Sequence, residues 1–335
     1  MKSLSDIGEF GFIDKIAAKY SQENELVLGI GDDCSVVCLN EREARLVTTD
    51  ILIENVHFLK NKISAENLGY KALAVNLSDI AAMGGQPEEI YISIGLPDNI
   101  QVQWLEKFYR SMNELATRFD TRLMGGDTTS SREIIINILV MGMIPRANIK
   151  YRRGARPGDI ICVNDYLGDS PGGLKILLED LEIDEPGKRL VQAHNHPEPK
   201  IEEGQFLSSK SAVHSMLDVS DGIGSDIKHI IDRSEVGASI DVEKLPVSEE
   251  LKKTGQKYGW DILDLAINGG EDYCLLFTVD PAEFKNLRSA YVKKFESEIK
   301  EIGKIKPEKY GLRYFKDGKQ LDLEGRGFDH FKKQD

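Results

Sequence analysis

Five acidic clusters in this 335-residue chain stand beside glycine or hydroxyl residues at the ends of apolar runs. In order they are Gly31-Asp32-Asp33, Thr48-Thr49-Asp50, Gly125-Gly126-Asp127-Thr128-Thr129, Asp218-Val219-Ser220-Asp221-Gly222 and Gly269-Gly270-Glu271-Asp272. Glycine lets the backbone approach a ligand closely and turn left-handed, and Ser or Thr adds a second oxygen. Each cluster therefore reads as a ligand set at a strand tip. Oxygen-only ligation selects hard cations, and magnesium favours a few carboxylates together with phosphate oxygens. Any one cluster alone is more simply a turn or a helix cap. Five in one chain point to a shared metal site.

Asp79 adds an independent argument, because it is the only charge in the small and apolar helical run from Ala72 to Met83. A helix that apolar is buried, and a buried carboxylate must neutralise, find a cation or pair with a lysine or arginine elsewhere. Asn76 lies one turn earlier on the same face. So many carboxylates would repel a nucleotide's phosphates, so several magnesium ions must neutralise the site, which is inert without them. The chain has no G-x-x-x-x-G-K-[ST] loop and no protein-kinase H-R-D or D-F-G set. Gly29-Ile30-Gly31 alone is too weak to indicate a dinucleotide fold.

The elements that must position these groups alternate between helix and strand. Asp6 followed by Glu9 resembles a capping box opening a helix toward Tyr20. Strands are expected at Leu26 to Ile30, Ser35 to Leu39 and Arg45 to Thr49, then a helix from Ser64 to Met83 stopped by Gly84-Gly85. Strands near Glu89 to Gly95, Thr121 to Met124 and Glu133 to Met143, with a helix near Gln101 to Phe119, complete the first half. The charged, Pro- and Gly-containing stretch Arg152 to Asp159 suits a junction, which places a domain boundary near residue 150. Beyond it the pattern predicts strands at Asp159 to Val163, Ala238 to Val242 and Tyr273 to Val279. Helices are expected near Pro171 to Leu181, Gly204 to His214, Gly222 to Ser234 and Pro281 to Ser297, with small strands at the end. The Gly168 to Gly173 loop reads as a structural turn rather than an anion site. The fold class is α/β (α+β) with two domains, 1–150 and 151–335, and the chain's length lets either half bury its own core.

Composition narrows the partners. A formal net charge of −13 repels polyanions, which excludes nucleic acid and anionic membrane surfaces as partners. Met1 to Tyr20 lacks the apolar stretch of a signal peptide, and Ile134 to Ile144 is about half the ~20 residues a membrane-spanning helix needs. Cys34, Cys38, Cys162 and Cys274 show no paired metal spacing and read as reduced thiols of a cytoplasmic protein.

Taken together and in order, the stretches Gly29 to Asp33, Thr48 to Phe58, Asn76 to Pro87, Gly125 to Thr129, Asp218 to Ile230, Gly269 to Phe277 and the closing Gly327 to Phe331 carry a resemblance covering nearly the whole chain. The chain resembles the thiamine-monophosphate kinases of the aminoimidazole-ribonucleotide-synthetase-like superfamily. The resemblance implies that Asp33, Thr48, Thr49, Asp50, Asp79, Asp127, Asp218 and Asp221 hold magnesium ions around the phosphates of ATP. It implies ATP contacts at Tyr109, Gly126, Asp127, Arg152 and Ser220, and places His57, Glu271 and Phe328 along thiamine monophosphate. It further implies a homodimer in which the N-terminal sheets pair, with ATP between the two domains of each chain. The expected reaction is direct transfer of the γ-phosphoryl group to the substrate phosphate, with no general base.

By themselves these residues have ordinary readings: His57 as a packed or surface histidine, Phe328 as core, and Arg152, beside Arg153 and Arg156, as a solvated basic stretch. Three positions depart from the family pattern. Ser130 stands where an arginine is usual, Asn55 where a glycine is common, and Cys274 where an acidic residue is usual. The rival readings are another ATP-using member of the superfamily, activating a carbonyl or making selenophosphate, and a non-catalytic Mg-nucleotide or thiamine-phosphate binder. The closing Lys333-Gln334-Asp335 lacks the terminal cysteine of the hydrogenase-maturation branch, and no cysteine precedes Cys34 as in the selenophosphate branch.

Overall fold

A computed structural model of the chain describes residues 3–21, 24, 27–323 and 325, so the expectation for Phe328 lies outside the described residues. Helix α1 (Leu4–Tyr20) opens with Asp6 accepting from the Ser3 N–H at 2.7 Å. The cap is thus Ser3, three residues before Asp6, rather than Asp6 itself.

The first sheet contains β1 (Val27–Leu28), β2 (Ser35–Cys38), β3 (Glu43–Ile53), β4 (Gln86–Leu96), β5 (Arg122–Ser130) and β6 (Ile135–Pro145), in the order β1-β2-β3-β6-β4-β5. All neighbours are antiparallel except β4 and β5. Strand alternation divides its residues cleanly. Leu46, Thr48, Leu52, Ile90, Ile92, Ile94, Ile136, Ile138 and Val140 are buried on one face. That face packs on α2 (Ala65–Ala82), which in turn lies on α3 (Val102–Arg118).

The second sheet is built from β7 (Ile160–Val163), β8 (Val213–Asp218), β9 (Val236–Asp241), β10 (Leu275–Val279), β11 (Lys300–Pro307), β12 (Leu312–Lys316) and β13 (Lys319–Leu321). Its order is β13-β12-β9-β11-β7-β10-β8, with only β12 and β9 parallel. Around it lie α4 (Asp169–Leu178), α5 (Glu185–Asn195), α6 (Ile201–Ser208), α7 (Ile223–Ser234), α8 (Glu249–Tyr258), α9 (Ile262–Asn268) and α10 (Phe284–Phe295).

Helix α2 is apolar nearly all round because it is enclosed on every side. The first sheet covers one face, α3 another, and α6 and β8 the side toward the second sheet. One apolar cluster therefore runs from Leu46, Leu73 and Ile138 through α2 to Met216, Phe277 and Tyr291. The first half's core continues into the second sheet, because α2 has apolar surface on both sides. A separate cluster including Ile227, Ile240 and Leu276 fills the other face of that second sheet.

Other expectations also change. The helix expected over Gly204 to His214 ends at Ser208, and His214 lies in β8, where Val213, Ser215 and Leu217 pair with β10. Thr48 to Asp50 lies mid-way along β3, and Asp127 lies within β5, so neither cluster occupies a strand tip. Both motifs extend their strands because every residue pairs in register with a neighbour. Asp218 does end its strand.

Helices α2 and α3 touch backbone to backbone, since a Cβ at Gly69 would sit 2.1 Å from the Phe108 carbonyl oxygen. Gly69→Ala should force the helices apart and cost about 1–3 kcal/mol. Urea unfolding checks this, and an unchanged midpoint would contradict the close approach.

Candidate active site

The carboxylates converge where α2 meets both sheets. Asp33 follows the turn before β2, Asp79 lies on α2 and Asp218 ends β8, and one oxygen from each lies within 4.8 Å of the others. Asp50 joins them electrostatically from β3. Helix α2 organises the group. Asn76 Oδ1 accepts from the Asp50 N–H at 3.0 Å, Asp79 Oδ2 accepts from the Thr48 hydroxyl at 2.5 Å, and Ser78 donates its hydroxyl to Asp218 Oδ2 at 2.5 Å. Asp79 thus meets a hydroxyl rather than a lysine or arginine among the described residues.

Cations are few inside the cleft. Arg152 reaches Asp33 Oδ1 through Nη2 at 2.7 Å and Nε at 3.1 Å, and its backbone N–H donates to Asp32 Oδ1 at 3.0 Å. Asp33 Oδ2 is buried without a hydrogen-bond partner among the described residues. Burial raises every carboxyl here, and like charge adds to it. Asp50 rises to about 6 through burial, Asp218 to about 7 through burial and then Asp33, and Asp32 to about 7 through burial and then Asp33. Burial and then Asp50 and Asp218 push Asp79 well up. An all-oxygen set with an orphaned buried oxygen and carboxyls held near neutrality fits a divalent cation.

The remaining sequence candidates divide into two groups. The charges of Asp221 and Asp218 both act on the buried Asp226, and Ser220 accepts the Glu271 N–H at 2.8 Å through its carbonyl. Gly270 must be glycine because a Cβ there would lie 2.4 Å from that same Ser220 oxygen. The turns carrying Asp218 to Asp221 and Gly269 to Asp272 are thereby clamped together. Glu271 pairs with Lys71 and His194. His57 accepts from the Ile53 N–H through Nδ1 at 3.0 Å, and its charge is felt at Glu271. Asn55, in place of a common glycine, has φ +65°, a left-handed conformation asparagine tolerates. Cys274 is buried in the second core and faces away from the site.

Four candidates lie apart. The Thr49 hydroxyl points to the opposite face of β3, where it donates to the Ile138 carbonyl at 3.0 Å. Asp127 shares that face, lining a cavity of about 260 Å³ with Ser93, Thr129, Ser130 and Asn137. Gly126 has a packing reason of its own, since a Cβ would meet the Ile92 carbonyl oxygen at 1.7 Å. Tyr109 lies half-buried on α3, edge-on to Phe108.

Sequence reasoning missed Asp32 as an Arg152 partner, Ser78, Lys71 and His194. Lys71 was within reach: the apolar run from Ala72 begins one residue after it, and a lysine leading into such a helix is itself a buried-charge signal.

The family described as "AIR synthase related protein, N-terminal domain" matches residues 31–144, and its C-terminal counterpart matches residues 156–314. A curated thiamine-monophosphate kinase of Haemophilus influenzae is 38% identical over 335 residues, covering 97% of this chain and 98% of the relative. One from Aquifex aeolicus is 37% identical, covering 98% and 99%. A solved structure, "AaThiL complexed with AMPPCP and TMP", superposes with a TM-score of 0.86 at 34% identity, covering 98% of this chain and 99% of that one.

Asp50 provides a thermodynamic check. Its folded pKa of about 6 exceeds the ordinary 3.8, so the folded state holds the proton more tightly. Stability is therefore lost as pH rises from about 4 to 6, and the full penalty stands above that. In EDTA at pH 7.5, Asp50→Asn should be more stable than wild type by about 1–3 kcal/mol, and the advantage should vanish toward pH 4. Urea titrations at the two pH values measure it; a wild type more stable than Asp50→Asn at pH 7.5 in EDTA would refute the raised pKa.

Proposed function

The chain belongs to the thiamine-monophosphate kinase family of AIR synthase related proteins, and we infer that it transfers the γ-phosphoryl group of ATP to thiamine monophosphate, releasing ADP and thiamine diphosphate. The observation that carries the reading is the convergence of Asp33, Asp79 and Asp218, with an unsatisfied oxygen, within a chain alike over almost its whole length to kinases of this activity.

Asp33, Thr48, Thr49, Asp50, Asp79, Asp127, Asp218 and Asp221 would hold magnesium, with Thr49 and Asp127 belonging to the open face of the first sheet. When bound, magnesium neutralises the carboxylates and screens the phosphate oxygens of both substrates. Arg152, Ser220, Gly126 and Tyr109 are assigned to ATP, and His57, Glu271 and Phe328 to the acceptor. Arg152 supports this assignment by its chemistry: a guanidinium that binds a carboxylate through two nitrogens can bind a phosphate in the same way. The acceptor phosphate has a second pKa of about 6, so it is already the nucleophile near neutral pH and no side chain need remove a proton. The chain's own contribution is alignment, through strand- and helix-borne groups that α2 holds in place.

The first domain, residues 1–150, is assigned metal, ATP and dimer contacts, and residues 151–335 complete both substrate sites. The open face of the first sheet supports a homodimer. It presents Val37, Val47, Ile51, Leu139 and Met141, with Ile51 46% and Val37 38% exposed, and edge strand β5 adds Met124 at 53%. Apolar sheet surface left open in this way favours a second sheet over water. The four cysteines are free, in keeping with a reducing cytoplasm, and no helix among the described residues is long and apolar enough to cross a membrane.

Incubation with Mg-ATP and thiamine monophosphate should yield ADP and thiamine diphosphate in equal amounts, and their absence would end the reading. Asp50→Asn and Asp127→Asn should each lower turnover by about two orders of magnitude or more at saturating magnesium while remaining folded. Near-wild-type turnover in either variant would remove that residue from the metal set. Ile51→Glu should convert a species of twice the chain mass into monomer in light scattering; an unaltered mass would place the dimer contact elsewhere.

A further inference from the structure

Glu271 is gripped by groups from two other parts of the chain. Lys71 projects from α2 two turns before Ser78, with a side chain only 1% exposed, and its Nζ lies 3.0 Å from Glu271 Oε1 and 3.4 Å from His194 Nε2. His194, on α5, places Nδ1 3.3 Å from Glu271 Oε2 and 3.1 Å from Ser170 Oγ. The proton positions follow from donor chemistry. An ammonium only donates, so His194 Nε2 accepts, the ring proton sits on Nδ1, and Nδ1–H faces Glu271 Oε2. Burial and then Lys71 push His194 down to about 3, which keeps the ring neutral and this tautomer in place.

Both carboxylate oxygens are thus engaged, by donors on different helices. The backbone is pinned as well: Glu271 has φ +64°, left-handed for a non-glycine residue, and Asp272 turns the opposite way to accept from the Gly168 N–H at 2.6 Å and the Ser170 N–H at 3.1 Å. A non-glycine residue in this conformation is costly and persists where the surroundings over-determine it. Burial alone would raise Glu271, yet Lys71 and then His194 hold it below the usual carboxylate range. The side chain remains an acceptor.

We propose that Lys71 and His194 are positioning residues for the acceptor substrate, holding the Glu271 carboxylate in one orientation against the cationic heterocycle of thiamine monophosphate. The proposal rests on the assignment of Glu271 to that substrate. Because Lys71 belongs to the first domain and Glu271 to the second, the acceptor site is correctly shaped only when the two are packed together. A plain structural ion pair would affect stability without distinguishing one substrate from the other.

The test is a double-mutant cycle on the full-length protein with ADP release as the readout, varying thiamine monophosphate at saturating Mg-ATP and then the reverse. Lys71→Met should raise KM for the acceptor about 10- to 100-fold and leave KM for ATP within about twofold. Glu271→Gln should behave alike, and the double variant should be no worse than Glu271→Gln, because Lys71 acts only through that carboxylate. His194→Asn, which keeps a side-chain N–H in place of Nδ1–H, should lose less than His194→Leu. If Lys71→Met does not fold, Glu271→Gln and the double variant, in which both charges are removed, still supply the comparison. Equal acceptor KM values in these two support the proposal. A further tenfold loss in the double variant, or a parallel rise in KM for both substrates, overturns it. Wild-type protein that makes no thiamine diphosphate in the same assay overturns the kinase reading instead.

Discussion

Burial raises Asp33, Asp50, Asp79 and Asp218 above the ordinary carboxyl range, and the charges of neighbouring carboxylates raise Asp79 and Asp218 further. Left to itself such a group would neutralise by taking up protons or would push the elements apart. The fold resists the second outcome by attaching the carboxylates to strands and a helix that already share a core. Thr48, Asn76 and Ser78 each give or take one hydrogen bond within the group, which fixes its geometry without removing its charge.

Helix α2 is the member on which this depends. Its Asn76 and Asp79 face β3, while Ser78 and Lys71 reach to β8 and to the turn carrying Glu271. Asn76 and Asp79, three residues apart, serve the first sheet, and Lys71 and Ser78, seven apart, serve the second, so one rigid element sets the spacing between the two sheets' groups. The continuous apolar cluster around it makes independent movement of the halves expensive. A site this charged lowers stability, and burial of α2 on all sides offsets that cost.

The open face of the first sheet has a different logic. Its strands are well paired, yet it exposes apolar side chains such as Val37 and Ile51, and β5 is an edge strand. Asn137 links this face to β3 by donating to the Thr49 hydroxyl at 2.9 Å and the Asp50 carbonyl at 3.1 Å. Whatever covers the face therefore touches the strand from which Asp50 reaches the carboxylate group on the other side.

Much of this was legible in residue order alone. The acidic clusters, the buried aspartate of an apolar helix, the α/β alternation and the family likeness are all local patterns, and the periods of helix and strand turn them into faces. The likeness named the chemistry, and the apolar helix singled out Asp79 as a carboxylate in apolar surroundings. Other features depended on contacts between residues far apart in the chain. Strand parity sends Thr48 and Asp50 to one side of the sheet and Thr49 to the other, and register with β4 carries Asp127 to the open face. The joining of Lys71, His194, Ser170 and Glu271 brings together positions separated by up to 200 residues, as 271 less 71 gives. No local pattern encodes such a meeting, because it is set by how α2 is packed between two sheets, and packing is a property of the whole chain.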